Sequence, residues 1–246
     1  KPRIDYTDSL TSPSFLLEPQ RTNLFIRSEE FDNSAWFKRR TSIIANEVVS
    51  PDGSQTADEL REDTQSGAHY FYDIDYDSDA QNTFSIFAKY KGNGRGLAIS
   101  FTNTTYFDLE NGVIESQGTD SAKMIAYPNG WYRCIITHNP ASSADPVFYL
   151  YKEAGDVTYQ GDGSSGIYVW GAQAEAGSYP TSYIPTAGST VTRAQETCNG
   201  AGNASTFNDS EGVLYAEIAA LANDGNYRRL GISDGTTLNR VIIGFT

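Results

Sequence analysis

The 246 residues carry 31 Asp and Glu against 18 Lys and Arg, a net charge of −13 at pH 7, and that balance excludes a nucleic-acid partner, because neutralising phosphates takes clustered Lys and Arg. The one dense basic cluster, Lys38-Arg39-Arg40, is too short to line a groove. No apolar stretch approaches the roughly 20 residues that span a bilayer, so no membrane insertion is expected, and the length suits one large all-β domain or two modest ones.

An acidic surface of this kind suits neutral or cation-bridged partners. Aromatic residues make up 13% of the chain, led by 16 Tyr and 12 Phe against a single Met. Tyr joins an apolar body to a wet tip, so its excess reads as sheet packing, contact surface or both. The opening "KPRIDYTDSL" has no apolar core and does not read as a signal peptide; lacking an initiator Met, it reads as cut from a longer chain. Two cysteines, Cys134 and Cys198, make no disulfide framework. Two histidines, His69 and His138, leave little for metal or triad chemistry.

In chain order, residues 1–22 read as an incoming connector, and "SEEFDNSAWF" could supply a single helical turn. Short alternating runs then follow, broken by turn residues about every ten positions: "SIIANEVV", "HYFYDIDY", "NTFSIFAKY", "GLAISFT", "TYFDLE", "GVIES", "SAKMIAY", "WYRCIITH", "PVFYLYK" and "IYVWGAQAE". That rhythm predicts a sandwich or barrel over 23–176. Asn111-Gly112 and Asn129-Gly130 both tolerate positive φ and predict tight turns. Residues 177–210, rich in Gly, Ser, Thr, Ala and Asn, read as a linker or surface strap. Residues 211–246 read as three strands, a short additional C-terminal β-meander that is marginal by itself.

Candidate chemistry is sparse. "DIDYDSD" sets Asp73, Asp75, Asp77 and Asp79 two apart, so a persisting strand would place four carboxylates on one face. Like charges in a row favour a hard cation with oxygen ligands, hence a calcium site; the alternative is a solvated strand end running into a turn. The EF-hand pattern fails, with Ser78 where Gly is needed and Phe84 where Glu is needed. The same acids would serve glycoside hydrolysis, but any acidic strand meets that spacing. No G-x-S-x-G elbow is present, and "KGNGRG" lacks the Lys-Ser/Thr of a phosphate loop. No catalytic residue is assigned, and a non-enzymatic protein is expected.

Aromatic platforms remain, since flat rings stack on the apolar faces of sugars while polar groups bond the hydroxyls. In "HYFYDIDY", Tyr70, Tyr72, Ile74 and Tyr76 read as the core face, and His69, Phe71, Asp73 and Asp75 as a mixed binding face. In "VFYLYK" either the Val147, Tyr149, Tyr151 face or the Phe148, Leu150, Lys152 face fits inward. Trp36 lies in a polar connector. The contact candidates are Trp36, Phe71, Asp73, Asp75, Arg95 and Tyr149. In "IYVWGAQAE", Trp170 shares a face with Tyr168, while Ile167 and Val169 share the other with Gln173, so this strand is expected to be covered on both sides.

Four blocks, "LLEPQRTNLFIRSEEFDNSAWFK", "YFDLENGVI", "NGWYRCIIT" and "GIYVWGAQAEAGSYPTSYIPT", occur in an order that resembles a carbohydrate-binding-module-like jelly-roll domain of bacteriophage tail, tail-spike and head-fibre proteins. The resemblance runs from about Pro2 to Ala194. From Glu211 onward the chain resembles the opening strands of a concanavalin-A-like (laminin-G-type) domain, left incomplete at Thr246. The resemblance implies a jelly-roll β-sandwich on a virion, trimeric, beside other virion structural proteins, recognising a host surface glycan. The alternatives are a purely structural connector that spaces or trimerises a fibre, or a fragment of a glycan depolymerase. Members of the wider jelly-roll group hold a structural calcium through an Asp pair on the last strand; Ile167 to Gly171 offers no carboxylate there, and Glu29 and Glu30 are what keep calcium open at that place.

Overall fold

The computed structural model describes residues 3–5, 14–76, 81–101, 103–118, 121–138, 145–198, 202–203, 205–206, 211–220, 227–238 and 240–245. The chain divides into two compact units, Gln20–Ala194 and a second formed by Lys1–Pro19 with Gln195–Thr246. In the second unit, β1 (Arg3–Asp5) pairs antiparallel with β2 (Ser14–Leu16), and β18 (Arg228–Ser233) pairs with β19 (Arg240–Phe245).

The Gln20–Ala194 unit is an all-β jelly-roll sandwich whose described strand pairs are all antiparallel. Its strands are β3 (Arg21–Asn23), β4 (Trp36–Arg39), β5 (Thr41–Val48), β6 (Ala57–Glu62), β7 (Ser66–Asp73), β8 (Asn82–Tyr90), β9 (Gly96–Ser100), β10 (Thr104–Asp108), β11 (Val113–Ser116), β12 (Ser121–Tyr127), β13 (Trp131–His138), β14 (Val147–Tyr151), β15 (Thr158–Gln160), β16 (Gly166–Ala176) and β17 (Val191–Arg193). One layer, sheet A, runs β11-β10-β9-β14-β7, with β4 and β15 sharing the outer edge of β7. The other, sheet B, runs β12-β13-β8-β16-β6-β5. β17 and β3 form a small separate ladder. The segment around Phe31 is turn rather than helix, and Pro128–Gly130 makes a single 3₁₀ turn with Asn129 at φ 63°.

Alternation decides what lies between the layers. Phe71 on β7, Leu97 and Ile99 on β9, Phe107 on β10 and Phe148 and Leu150 on β14 point inward from sheet A. They meet Leu60, Phe84, Ile86, Cys134, Ile136, Ile167 and Val169 from sheet B. Phe25, Phe31 and Trp36 close the core from the segment that leads into β4. Burying this many large apolar side chains, each worth about 1.5–3 kcal/mol, is what holds two sheets together against chain entropy.

The last strand of sheet B changes face midway. Register shifts between Trp170 and Gln173, and Gly171 takes φ 62°. This bulge keeps Ile167 and Val169 in the core, then puts Ala172 and Ala174 there after the extra residue. The expectation that Gln173 shares a face with Ile167 and Val169 is thereby corrected. Gln173 lies on the Trp170 side, where its Oε1 accepts from Ile184 N at 2.6 Å.

Candidate functional site

The outer faces of the two sheets differ in what covers them. On sheet B, Phe87, Trp131 and Trp170 pack with Tyr183 from the segment after β16. Tyr183 sits 4.6 Å from the Trp170 ring, and its hydroxyl bonds Ser28 Oγ at 2.7 Å and donates to Glu29 Oε1 at 2.9 Å. Arg133 donates to Thr181 O at 2.8 Å and lies over Phe87, while Asn23 Nδ2 donates to Ile184 O at 2.8 Å. Residues 177–186 are thus pinned across sheet B as a strap. Trp170 is covered, its Nε1 donating to Thr56 Oγ1 at 3.0 Å.

Sheet A is built differently. The register pairs Phe37 with Tyr72 across β4 and β7, then Tyr70 with Tyr149 across β7 and β14, then Tyr149 with Ala98 and Ala98 with Tyr106 across β9 and β10. Side chains at paired positions share a face, so these residues form one row across five strands. Ring centroids lie 5.1 Å apart for Phe37–Tyr72, 6.3 Å for Tyr72–Tyr70 and 5.1 Å for Tyr70–Tyr149. Phe37 is 41% exposed, and Tyr70, Tyr72 and Tyr149 are half-buried. Beyond Ala98, whose small side chain lowers the row, Tyr106 and Tyr151 meet edge to face at 5.1 Å, and the Tyr151 hydroxyl donates to Glu115 Oε2 at 2.6 Å. Gly96, paired with Tyr151, leaves the space that this ring fills. Burial, with Tyr70 and Tyr106 nearby, pushes the Tyr149 phenol above its ordinary range, so it meets a ligand as a neutral hydroxyl.

The residues singled out from the sequence fall in several places. Trp36 is 1% exposed, its ring 5.2 Å from Phe25 and 5.1 Å from Phe31, its Nε1 donating to Arg27 O at 2.8 Å. Phe71 is buried and stacked on Phe148 at 5.1 Å. Neither ring presents a face to a ligand. The faces of "HYFYDIDY" are the reverse of the expected ones: Phe71 and Asp73 turn inward, Tyr70 and Tyr72 outward. β7 ends at Asp73, so the alternation stops there; Ile74 is exposed while Tyr76 turns back onto Phe25 and Phe84.

Arg95 is 7% exposed and belongs to an internal network rather than a contact surface. Its Nε and Nη2 donate to the two oxygens of buried Glu62 at 2.6 and 2.7 Å, and its guanidinium lies over Tyr159. Glu62 also accepts from Tyr159 OH and Asp162 N, both at 2.8 Å. The bidentate carboxylate first, then the Tyr159 and Asp162 charges, hold the Arg95 pKa above its ordinary value. Of the contact candidates, Tyr149 alone stands in the aromatic row.

Asp73 is buried, and its Oδ1 accepts from Asp75 N at 2.8 Å. Asp75 is exposed. Asp77 and Asp79 lie outside the described residues. Among the described residues, no three His, Cys, Asp or Glu side chains are grouped so that they could hold a metal ion. Glu29 accepts from Tyr183 and Glu30 pairs with Arg27 at 2.5 Å. These two glutamates border a cleft of about 600 Å³ between the 28–30 segment, Asn46 and the 185–191 segment.

Phe37, Tyr70, Tyr72, Tyr106 and Tyr151 were not among the candidates. The signal for the tyrosines was present in "HYFYD", "TYFD" and "VFYLY", whereas in "WFKR" it is Trp36 that turns inward and leaves Phe37 outside. Of two alternating faces, the one bearing Phe goes inside because it has no polar atom to satisfy, and the one bearing Tyr keeps its hydroxyls wet.

No protein-family model matches the chain, and no curated protein matches it. Among solved structures, the chain is similar to the CBM22-1–GH10 modules of Clostridium thermocellum endo-1,4-β-D-xylanase 10B complexed with xylohexaose. Identity there is 15%, over 62% of this chain and 27% of that one, with a TM-score of 0.35. It is also similar to TmCBM27, a carbohydrate-binding module with specific mannan recognition, at 10% identity over 66% of this chain and 98% of that one, with a TM-score of 0.30.

Proposed function

We propose that the Gln20–Ala194 sandwich is a non-catalytic glycan-binding module that takes its ligand on the outer face of sheet A. The observation that carries this reading is the row Phe37, Tyr72, Tyr70 and Tyr149 on the outer face of sheet A, the sheet opposite the one that the 177–186 strap covers. Stacked rings bind the C–H faces of sugars, and phenol hydroxyls at the rim exchange hydrogen bonds with ring hydroxyls, so recognition needs no reacting group. Three strands at about 4.8 Å spacing put Phe37 and Tyr149 about 10 Å apart, and the ligand chain lies across the strands.

On the resemblance of the four sequence blocks, the module belongs to a phage tail or head fibre, where it recognises host surface polysaccharide as part of a trimer. A glycan array followed by affinity electrophoresis in host polysaccharide tests the reading. Retardation by at least one neutral glycan is expected. A blank array and unretarded migration by protein shown to be folded would refute it and favour a structural connector.

A further inference from the structure

We propose that the ligand on the outer face of sheet A is a mainly neutral glycan with widely spaced uronic-type carboxylates, and that Arg39 selects for them. The inference rests on the reading of that face as the glycan platform. It starts from the cluster Lys38-Arg39-Arg40, whose three charges the fold separates. Alternation along β4 buries Trp36, exposes Phe37, turns Lys38 inward and leaves Arg39 exposed. Lys38 Nζ is spent on the carbonyl oxygens of Phe31, Asp32 and Asn33, at 2.9, 3.0 and 2.8 Å. Arg40 lays its guanidinium over Gly67, where a Cβ would meet Cζ at 2.8 Å. Among the described residues, no carboxylate pairs with Arg39.

The register puts this side chain beside the rings. Arg39 pairs with Tyr70, Tyr70 with Tyr149, and Tyr149 with Ala98. Paired side chains share a face, with Cβ atoms about 4.5–5.5 Å apart. The guanidinium therefore borders the two rings whose centroids lie 5.1 Å apart. A sugar stacked on Tyr70 brings its rim within reach of it. In a chain of net charge −13, this is a local positive spot at the edge of an aromatic platform. The planar guanidinium fork matches a carboxylate, which it bonds through two parallel N–H donors.

The far end of the row sets the spacing of the acids. Val157, from the connection between β14 and β15, packs on Ala98, Tyr106 and Tyr151, so the open platform stops there. Carboxylates gather at that end. Burial first, then the Glu115 hydrogen bond and charge and the Asp108 charge, raise the Tyr151 phenol. Burial first, with the Asp156 charge adding to it, raises that of Tyr106. From β4 to β10 is four strand spacings, about 19 Å. A chain acidic at every sugar would press its charges against Asp108, Glu115 and Asp156. A chain with an occasional acid sets one carboxylate on Arg39 and neutral sugars over Tyr70 and Tyr149.

The test is titration calorimetry of the full chain with one neutral hexose glycan in three forms at constant ionic strength: untreated, lightly oxidised at its primary hydroxyls to uronic residues, and fully oxidised. The lightly oxidised form should bind about 2–5-fold more tightly than the untreated one, the range of an exposed ion pair. Full oxidation should give no further gain. Arg39→Gln should erase the preference for the lightly oxidised form, whereas Lys123→Gln, the same charge change at an exposed position on sheet B, should keep it. Equal affinity for the untreated and lightly oxidised forms, tightest binding of the fully oxidised one, or a full preference in Arg39→Gln would overturn the assignment and leave the platform reading standing. Folded protein that binds none of the forms would overturn both.

Discussion

Removing the Arg95 side chain tests its assignment to the interior. Arg95→Met deletes two charged hydrogen bonds, at 2.6 and 2.7 Å, from Glu62, a carboxylate itself buried. Breaking one side of a buried ion pair costs about 3–5 kcal/mol, mostly through the charge left uncompensated. Tyr159 OH and Asp162 N still donate to Glu62, which places the loss near the lower bound, about 3 kcal/mol. For a domain of this size that is a fall in Tm of roughly 6–12 °C by calorimetry. Glu62→Gln combined with Arg95→Met removes both charges and should recover at least half of the loss, since an uncharged pair no longer strands a carboxylate. Glycan binding measured well below the lowered Tm should be unchanged. A loss under about 1 kcal/mol for Arg95→Met, or a double variant no better than the single one, would refute the reasoning. So would folded Arg95→Met that no longer binds glycan.

Further outcomes follow from the other buried groups. Burial pushes the Asp58 carboxyl up to about 6 against Asn46 N and Phe31 N, its two donors. The folded state then binds this proton more tightly than the unfolded chain, so its contribution to stability is present below about pH 4 and is lost as pH rises through 6. Asp58→Asn should flatten that decline by about 1–2 kcal/mol in urea unfolding at pH 4, 5 and 6.5; identical slopes would contradict the burial argument. Tyr183→Ala unpins the strap and opens a cavity over Trp170, and should cost about 3–5 kcal/mol in chemical denaturation without weakening glycan affinity. Gly171→Ala places a Cβ at φ 62° and 3.1 Å from the Phe87 ring, and should lower stability by about 1–3 kcal/mol, read as a shift in denaturant midpoint.

The all-β architecture and most strands were legible because apolar alternation and Asn-Gly turns are local signals. Residues 177–210 were expected to form one linker or strap; of these, 177–186 lie across sheet B, with Pro180 and Pro185 ending ladder bonding after β16. What alternation alone leaves open is which of two faces turns inward. "HYFYDIDY" was given the wrong inner face because His69 and Asp73 look too polar to bury, yet both sit inside. A polar residue can follow Phe71 into the core when the strand's parity is set by Phe71 and Phe148 stacking across the ladder. Trp36 looked exposed because its sequence neighbours are polar, but Phe25 and Phe31, eleven and five residues earlier, supply its pocket. Arg95 sat in a Gly-rich turn with nothing to announce Glu62, 33 residues away. The bulge at Gly171 reverses the faces of β16 midway, which a strict period of two does not register. Tyr149 was a contact candidate on a strand whose inward face the alternation left open; it is half-buried on the outer face of sheet A, and the partners that make it a row come from two other strands.

The central claim is that glycan is held on the Phe37–Tyr72–Tyr70–Tyr149 face of sheet A. Affinity for the glycan selected on the array, measured by titration calorimetry, tests it most directly when Tyr70→Ala and Tyr149→Ala are compared with Tyr127→Ala on sheet B. Each sheet A variant should bind about 5–30-fold more weakly, the loss of about 1–2 kcal/mol of stacking and contact per ring, while Tyr127→Ala should bind as the parent does. Unchanged affinity in Tyr149→Ala, or an equal loss in Tyr127→Ala, would contradict the account.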